Sequence, residues 1–143
     1  MAGKFNLQIV TPEREVFNSA VESVRLPGMD GEFGVLRGHA PLIAALQPGE
    51  VDIRDGESNE HVFAIGGGFF QVSENQAMLL ADSAIDPGAI DLAREAEIER
   101  DARERLSEQM GPGFEKEREA AEKALKGAQA RRRVATRRGP SLT

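Results

Sequence analysis

The chain has no cysteine, no tryptophan and no tyrosine among its 143 residues, and only two histidines. Without cysteine there is no disulfide, no thiolate nucleophile and no sulfur-ligated metal. Seven phenylalanines are thin material for stacking on bases. No apolar run approaches the roughly 18–20 residues that span a bilayer. Met1-Ala2-Gly3-Lys4 leads straight into an alternating segment, with no apolar signal region and no Arg/Ser-rich transit peptide. The expectation is a soluble protein that stays in the compartment where it is made. Catalytic groupings are also missing. No serine stands in a Gly-x-Ser-x-Gly setting, and the two histidines, His39 and His61, are too far apart for a metal-binding His-x-x-x-His. Gly66-Gly67-Gly68 fits neither phosphate-loop pattern and precedes no helix, so a close backbone approach or a bulge within a strand is the better account.

What is present falls into two halves. Residues 1–86 hold 5 basic and 13 acidic side chains, a net of −8, whereas residues 87–143 hold 13 and 11, a net of +2. The last eighteen residues carry six basic groups and no acidic one. A basic terminus can be simply solvated, or can meet RNA, acidic lipid or an acidic protein surface. The acidic main body argues against nucleic acid as the partner.

The hydrophobic period divides the chain in the same way. Phe5, Leu7 and Ile9 alternate with Asn6 and Gln8, the period of two of a half-buried strand. Val16-Phe17 and Val21 to Leu26 continue the pattern, with a break expected at Asn18-Ser19. Further short strands are expected at Glu32–Leu36, Val51–Arg54, His61–Ile65, Phe69–Val72 and Ala77–Leu80, with a hairpin turn at Asp55-Gly56. Many short strands with Gly/Pro turns indicate a β-sandwich or barrel. At Asp86-Pro87-Gly88 the period changes. Ala89 to Met110 is rich in strong helix formers, with Ile98, Ala102, Leu106 and Met110 recurring every four residues. Gly111-Pro112-Gly113 stops that helix, and a second is expected from Phe114 to about Arg138, with Ala121, Leu125 and Ala128 on one stripe. Opposite charges at i and i+4 (Glu99–Arg103, Asp101–Arg105, Glu119–Lys123, Glu122–Lys126) support both helices. The expected class is therefore α+β: an N-terminal β-sandwich over residues 1–86, then an antiparallel helical hairpin and basic tail over residues 87–143. The narrow, alanine-heavy stripe predicts a hairpin that docks weakly and can undock.

The most informative stretch is Pro27-Gly28-Met29-Asp30-Gly31-Glu32-Phe33-Gly34-Val35-Leu36-Arg37-Gly38-His39-Ala40-Pro41-Leu42. Its glycines and prolines place turns around one short strand. Leu46-Gln47-Pro48-Gly49, the Gly-Gly-Phe strand at Gly67-Gly68-Phe69 and a Leu-rich strand ending Ala81-Asp82 follow. Together these blocks resemble the epsilon subunits of bacterial F-type ATP synthases over nearly the whole chain. The resemblance implies a non-catalytic subunit of the central stalk that couples rotation of the proton-driven c-ring to ATP synthesis. Its implied partners are the gamma subunit, the c-ring and the alpha/beta catalytic head, with no nucleic acid and no cofactor. The implied location is peripheral, on the cytoplasmic face of the inner membrane, with membrane contact only through the complex. By position in the motif, Glu32 stands near the c-ring loops and His39 near gamma, with Met29 and Asp30 on the same exposed turn as Glu32. The hairpin in this family can regulate ATP hydrolysis, and Arg131, Arg132, Arg133, Arg137 and Arg138 would then face the catalytic subunits. Gly127, just before them, predicts a locally weakened helix and weak inhibition.

Each of these residues also has a plainer reading. Two carboxylates on a glycine-rich turn, Asp30 and Glu32, are ordinarily solvated rather than an acid/base pair. His39 can bond nearby backbone. Some epsilon subunits open the first helix with Ile/Leu-Asp-x-x-Arg-Ala and bind ATP. Here Ile90, Asp91 and Arg94 match and Glu95 stands in place of the alanine, which predicts weak or no ATP binding through charge repulsion. Without nucleotide, Asp91 would serve the helix N-terminus and Arg94 the surface. The competing class is a stand-alone binding module, an acidic sandwich whose basic tail recruits RNA or lipid.

Overall fold

The computed structural model describes residues 3–56, 59–108 and 111–138; of Arg137 and Arg138 it describes the backbone alone. Met110, the end of the expected stripe on the first helix, and the tail beyond Arg138 lie outside the described residues. Eight strands come first: β1 (Phe5–Val10), β2 (Glu15–Val21), β3 (Ser23–Gly28), β4 (Gly31–Leu36), β5 (Leu42–Arg54), β6 (Glu60–Ser73), β7 (Gln76–Ala81) and the short β8 (Ala84–Ile85). A 3-10 turn at Pro87–Ala89 leads to α1 (Leu92–Ser107) and α2 (Glu115–Arg138).

Two long strands make the sandwich. The hydrogen-bonded order is β2-β1-β7-β6-β5-β3-β4, with β8 added to β6. β5 and β6, at 13 and 14 residues, are about twice the usual strand length. They pair with each other in one register throughout, the ladder broken only at Gln47 and Gly67. On one side of that break they lie beside β7 and β1, and on the other β5 lies beside β3. The sheet thus folds over on itself into two layers. Between the layers lie Leu7, Ile9, Phe70 and Leu79 from one side and Val24, Leu26, Val51 and Ile53 from the other, all essentially inaccessible to solvent. Phe33 of β4 meets Phe70 of β6 edge-on at 6.1 Å, joining the layers.

The chain departs from the sequence expectation at three places. β2 runs unbroken through Asn18-Ser19 and ends at Val21. As an outer strand it pairs only with β1, so its polar residues stay exposed at no cost. The segments expected as separate strands at His61–Ile65 and Phe69–Val72 are one strand, β6, because the three glycines carry the fold-over instead of ending the strand. Likewise β5 passes through Pro48-Gly49, and Val51–Arg54 is only its last part.

The helices dock on the layer that contains β5 and the first part of β6. Val134 of α2 is fully buried against Val62 and Ala64 of β6, with Ile90 packed beside them. This small cluster is separate from the main core. Ala102 on α1 and Ala121 and Ala128 on α2 are buried as the stripes require, while Ile98, Leu106 and Leu125 are half-buried. Lys123 does not join Glu119; its Nζ reaches Asp82 Oδ2 at 2.7 Å and ties α2 to the end of β7. Because the main core draws on residues 5–81 alone, a chain ending at Asp86 is expected to stay folded. It should lose only about 1–3 kcal/mol through exposure of Val62 and Ala64. Denaturant unfolding of that truncated chain against the full chain measures the difference, and an unfolded product would show that the helices belong to the core.

Candidate functional site

The sequence-selected residues occupy two ends of the sandwich. The β3–β4 turn carries Met29, which is 60% exposed, and Asp30, with the Met29 amide bonded to the Ala45 carbonyl at 3.0 Å. Glu32 follows on β4 and points to solvent, its Oε1 3.6 Å from Arg25 Nε. Met29, Asp30 and Glu32 therefore form one exposed group. His39 is elsewhere. Gly31 pairs with Gly28 and Leu36 with Ser23, so β4 carries the chain five residues, roughly 17 Å, from the Met29 turn before the His39 loop begins. That loop is pinned at the opposite end of the sandwich. The Gly38 amide donates to Asn75 Oδ1 at 2.7 Å, and His39 Nδ1 lies 2.7 Å from its neighbour's carbonyl at Ala40. The backbone partner anticipated for His39 is present.

Next to the His39 loop is a surface that reading the sequence did not single out. On the outer face of the layer formed by β5, β6, β7 and β1, Ile43 is 77% exposed, Phe69 59% and Leu80 48%. Phe69 stands directly opposite both Ala45 and Leu80, and Leu80 opposite Val10, so these apolar residues form one strip across four strands. The signal was available as doublets. Leu42-Ile43, Phe69-Phe70 and Leu79-Leu80 are apolar at consecutive positions, so each strand shows an apolar residue to both faces. A solvated sheet face calls for a polar residue at every second position, and contiguous apolar exposure marks an interaction surface.

The residues resembling a nucleotide motif have local structural roles. Asp91 is the N-cap of α1, its Oδ1 accepting from the amides of Ala93 at 3.0 Å and Arg94 at 3.2 Å. Ile90 packs on the cluster around Val134. Arg94 is exposed. Glu95, expected to stand in the path of a polyphosphate, instead turns inward and is only 6% exposed. Its Oε1 lies 2.8 Å from Arg131 Nε of α2, with that arginine side chain 16% exposed. The N–H is not aimed along this line, so the pair is held by charge rather than by an aligned hydrogen bond. One turn further along α1, Glu99 bonds Arg103 at 2.9 Å and also Arg132 of α2.

These contacts hold the Glu99 carboxyl below the usual carboxylate range, Arg103 contributing most and Arg132 next. A depressed folded-state value means that the stabilisation is present above the ordinary carboxylate pKa and is lost as pH falls through the folded one. Helical signal should therefore weaken as pH falls below the ordinary carboxylate range in the native chain. Glu99→Gln should remove that part of the acid loss, which circular dichroism across the range measures.

Among the described residues no group of acidic or histidine side chains could hold a metal, and no helix is long and apolar enough to cross a membrane. The family model for the ATP synthase delta/epsilon chain β-sandwich domain matches residues 4–87. An ATP synthase epsilon chain from Anaeromyxobacter sp. is 47% identical over 100 residues, covering 70% of this chain and 75% of that relative. One from Dehalococcoides mccartyi is 39% identical over 136 residues, covering 94% of each. Among solved structures, a chain of the Euglena gracilis mitochondrial ATP synthase, determined as an OSCP/F1/c-ring assembly, superposes with a TM-score of 0.77. It is 21% identical and covers 91% of this chain and 80% of that one, a likeness of fold.

Proposed function

Since the chain belongs to the ATP synthase epsilon chains, we propose that it is a non-catalytic part of the rotor, joining gamma to the c-ring and passing rotation between proton flow and the catalytic head. The observation that carries this reading is the apolar strip of Ile43, Phe69 and Leu80 beside the His39 loop. An exposed strip of this kind needs a permanent partner, and gamma is the partner the reading assigns to it. The Met29-Asp30-Glu32 group, at the far end of β4 from the His39 loop, is assigned to the polar loops of the c-ring. A subunit held between two partners needs two contact regions, and the length of β4 separates the Met29 group from the His39 loop. The protein then works at the cytoplasmic face of the inner membrane, attached through the complex. Residues 87–143 form its regulatory part. With the hairpin docked and Arg131 and Arg132 engaged by Glu95 and Glu99, these arginines reach the catalytic subunits only after the hairpin opens, so inhibition of hydrolysis is weak.

Two substitutions test the assignment. His39→Ala and Glu32→Ala should leave the melting temperature of the isolated subunit within about 2 °C, because neither side chain packs in the core. His39→Ala should lower affinity for gamma, and Glu32→Ala should lower retention on c-ring membranes with gamma binding intact. Large melting losses with unchanged binding would make both residues structural. If the native chain instead leaves membranes free of gamma and shows a steep salt-dependent affinity for RNA, the binding-module reading takes its place.

A further inference from the structure

The seam between α1 and α2 has an unusual composition. Helix pairs in water ordinarily close on an apolar stripe, but this stripe is mostly alanine, and its largest fully buried side chain, Val134, is spent on β6 rather than on α1. Beside it runs a ladder of charge. Glu95 and Glu99, four residues apart on α1, face the consecutive Arg131 and Arg132 of α2. The Glu95–Arg131 pair is buried on both sides, whereas Glu99 is buried and its partner Arg132 is 46% exposed. Glu95, Arg131 and Glu99 have side chains only 8%, 16% and 12% exposed. A charge desolvated to that degree must find its opposite, and removing one partner leaves the other buried and uncompensated.

Gly127 takes part in this arrangement. It is buried one turn before Arg131, and a Cβ built on it would stand 3.0 Å from Arg131 Nη1. The glycine that the sequence reading took as a weak point in α2 leaves the space in which the guanidinium lies across the helix toward Glu95.

We propose that Glu95 and Glu99 are the hairpin's own counter-anions: by occupying Arg131 and Arg132 they close the α1–α2 seam without any bound nucleotide or other anionic ligand. Two arginines projecting from one helix toward another would otherwise attract an oligophosphate, which could bridge them. Here the bridging anions are covalently part of α1. The predicted failure to bind ATP follows for a different reason from repulsion at an open site: the arginines are already neutralised, and the carboxylate fills the place. The closed hairpin is then set by sequence rather than by ligand concentration. This holds whether or not the rotor assignment does, since it concerns only the contact between the two helices.

Hydrogen exchange on the full chain tests it. Glu95→Gln keeps the side-chain shape and removes the charge, so exchange of the α1 amides should speed up by about tenfold or more while the β6 and β7 amides stay protected. Glu99→Gln should act in the same direction. Exchanging the charges, Glu95→Arg with Arg131→Glu, should restore part of the α1 protection lost in Glu95→Gln. Inorganic triphosphate added to the native chain should leave α1 exchange unchanged. Unaltered α1 protection in the Glu95→Gln, Glu99→Gln double variant would overturn the proposal, because the seam would then close without the ladder. Increased α1 protection of the native chain by triphosphate would also overturn it, because the internal anions would not be sufficient. Loss of rotor binding by other variants would leave both readouts untouched.

Discussion

Gly68→Ala is expected to abolish the folded sandwich at ordinary temperature. Gly68 has φ +151°, a conformation that side-chain-bearing residues rarely adopt. A Cβ placed there would lie 2.1 Å from the Leu80 carbonyl oxygen and 2.9 Å from the Ala81 Cα. Both are backbone atoms of β7, the strand paired with Gly68 through Ala81, so neither can move without breaking the ladder. Backbone strain alone costs about 1–3 kcal/mol, and displacing a central strand adds to it. The sum approaches the roughly 5–15 kcal/mol that hold a domain together. Gly34→Ala is the control. Its nearest atom would be 3.9 Å away and its φ is ordinary, so its melting temperature should stay close to native. Thermal unfolding of the two variants decides the matter, and a Gly68→Ala protein that melts like the control would mean that the close approach is relieved by relaxation.

The second large effect concerns assembly rather than folding. Replacing Ile43 and Phe69 together by serine should leave the isolated subunit as stable as before, since both side chains face solvent. Affinity for gamma should fall at least about a hundredfold. A buried aromatic anchor at a protein interface is commonly worth about 2 kcal/mol or more, and two anchors are removed. Titration of native and double-serine subunits against gamma, with melting curves alongside, separates the outcomes. Unchanged affinity would move the gamma contact to another face and leave the strip unexplained.

The layers and helices of this fold were legible because period two and helix-former composition are local signals. Phe5, Leu7 and Ile9 alternate, and all three are buried. Gly111-Pro112-Gly113 separates α1 from α2 as a glycine-proline break should. What could not be read were relationships set by distant partners. Nothing near Gly66-Gly67-Gly68 announces that the strand continues through it; that depends on β5 pairing with β6 on both sides of Gly67. The same limit applies to the candidate site. The glycine-rich motif picked out Met29, Asp30, Glu32 and His39, but only strand register shows that three stand together and one stands apart. Glu95 illustrates it best. Its neighbours in sequence suggest a surface carboxylate, and only the antiparallel return of α2, thirty-six residues later, brings Arg131 against it.

The pairing of β1 with β7 has a consequence for how the molecule is made. The two strands run parallel, and Asn6 meets Gln76, 70 positions later. A strand near the beginning of the sandwich must therefore wait for the last long strand before both its edges are satisfied. Closing so long a loop costs entropy before any contact repays it, which slows folding. During synthesis β1 and β2 can form a hairpin early, but one edge of β1 stays open, and an open strand edge is where chains pair wrongly with one another. The two helices are synthesised after β7, and their docking residues Val62 and Ala64 belong to a strand that is set only when the sheet is complete. Assembly order is thus written into the connectivity: the sandwich closes as one late event, and the hairpin, whichever way it later moves, settles onto a finished surface.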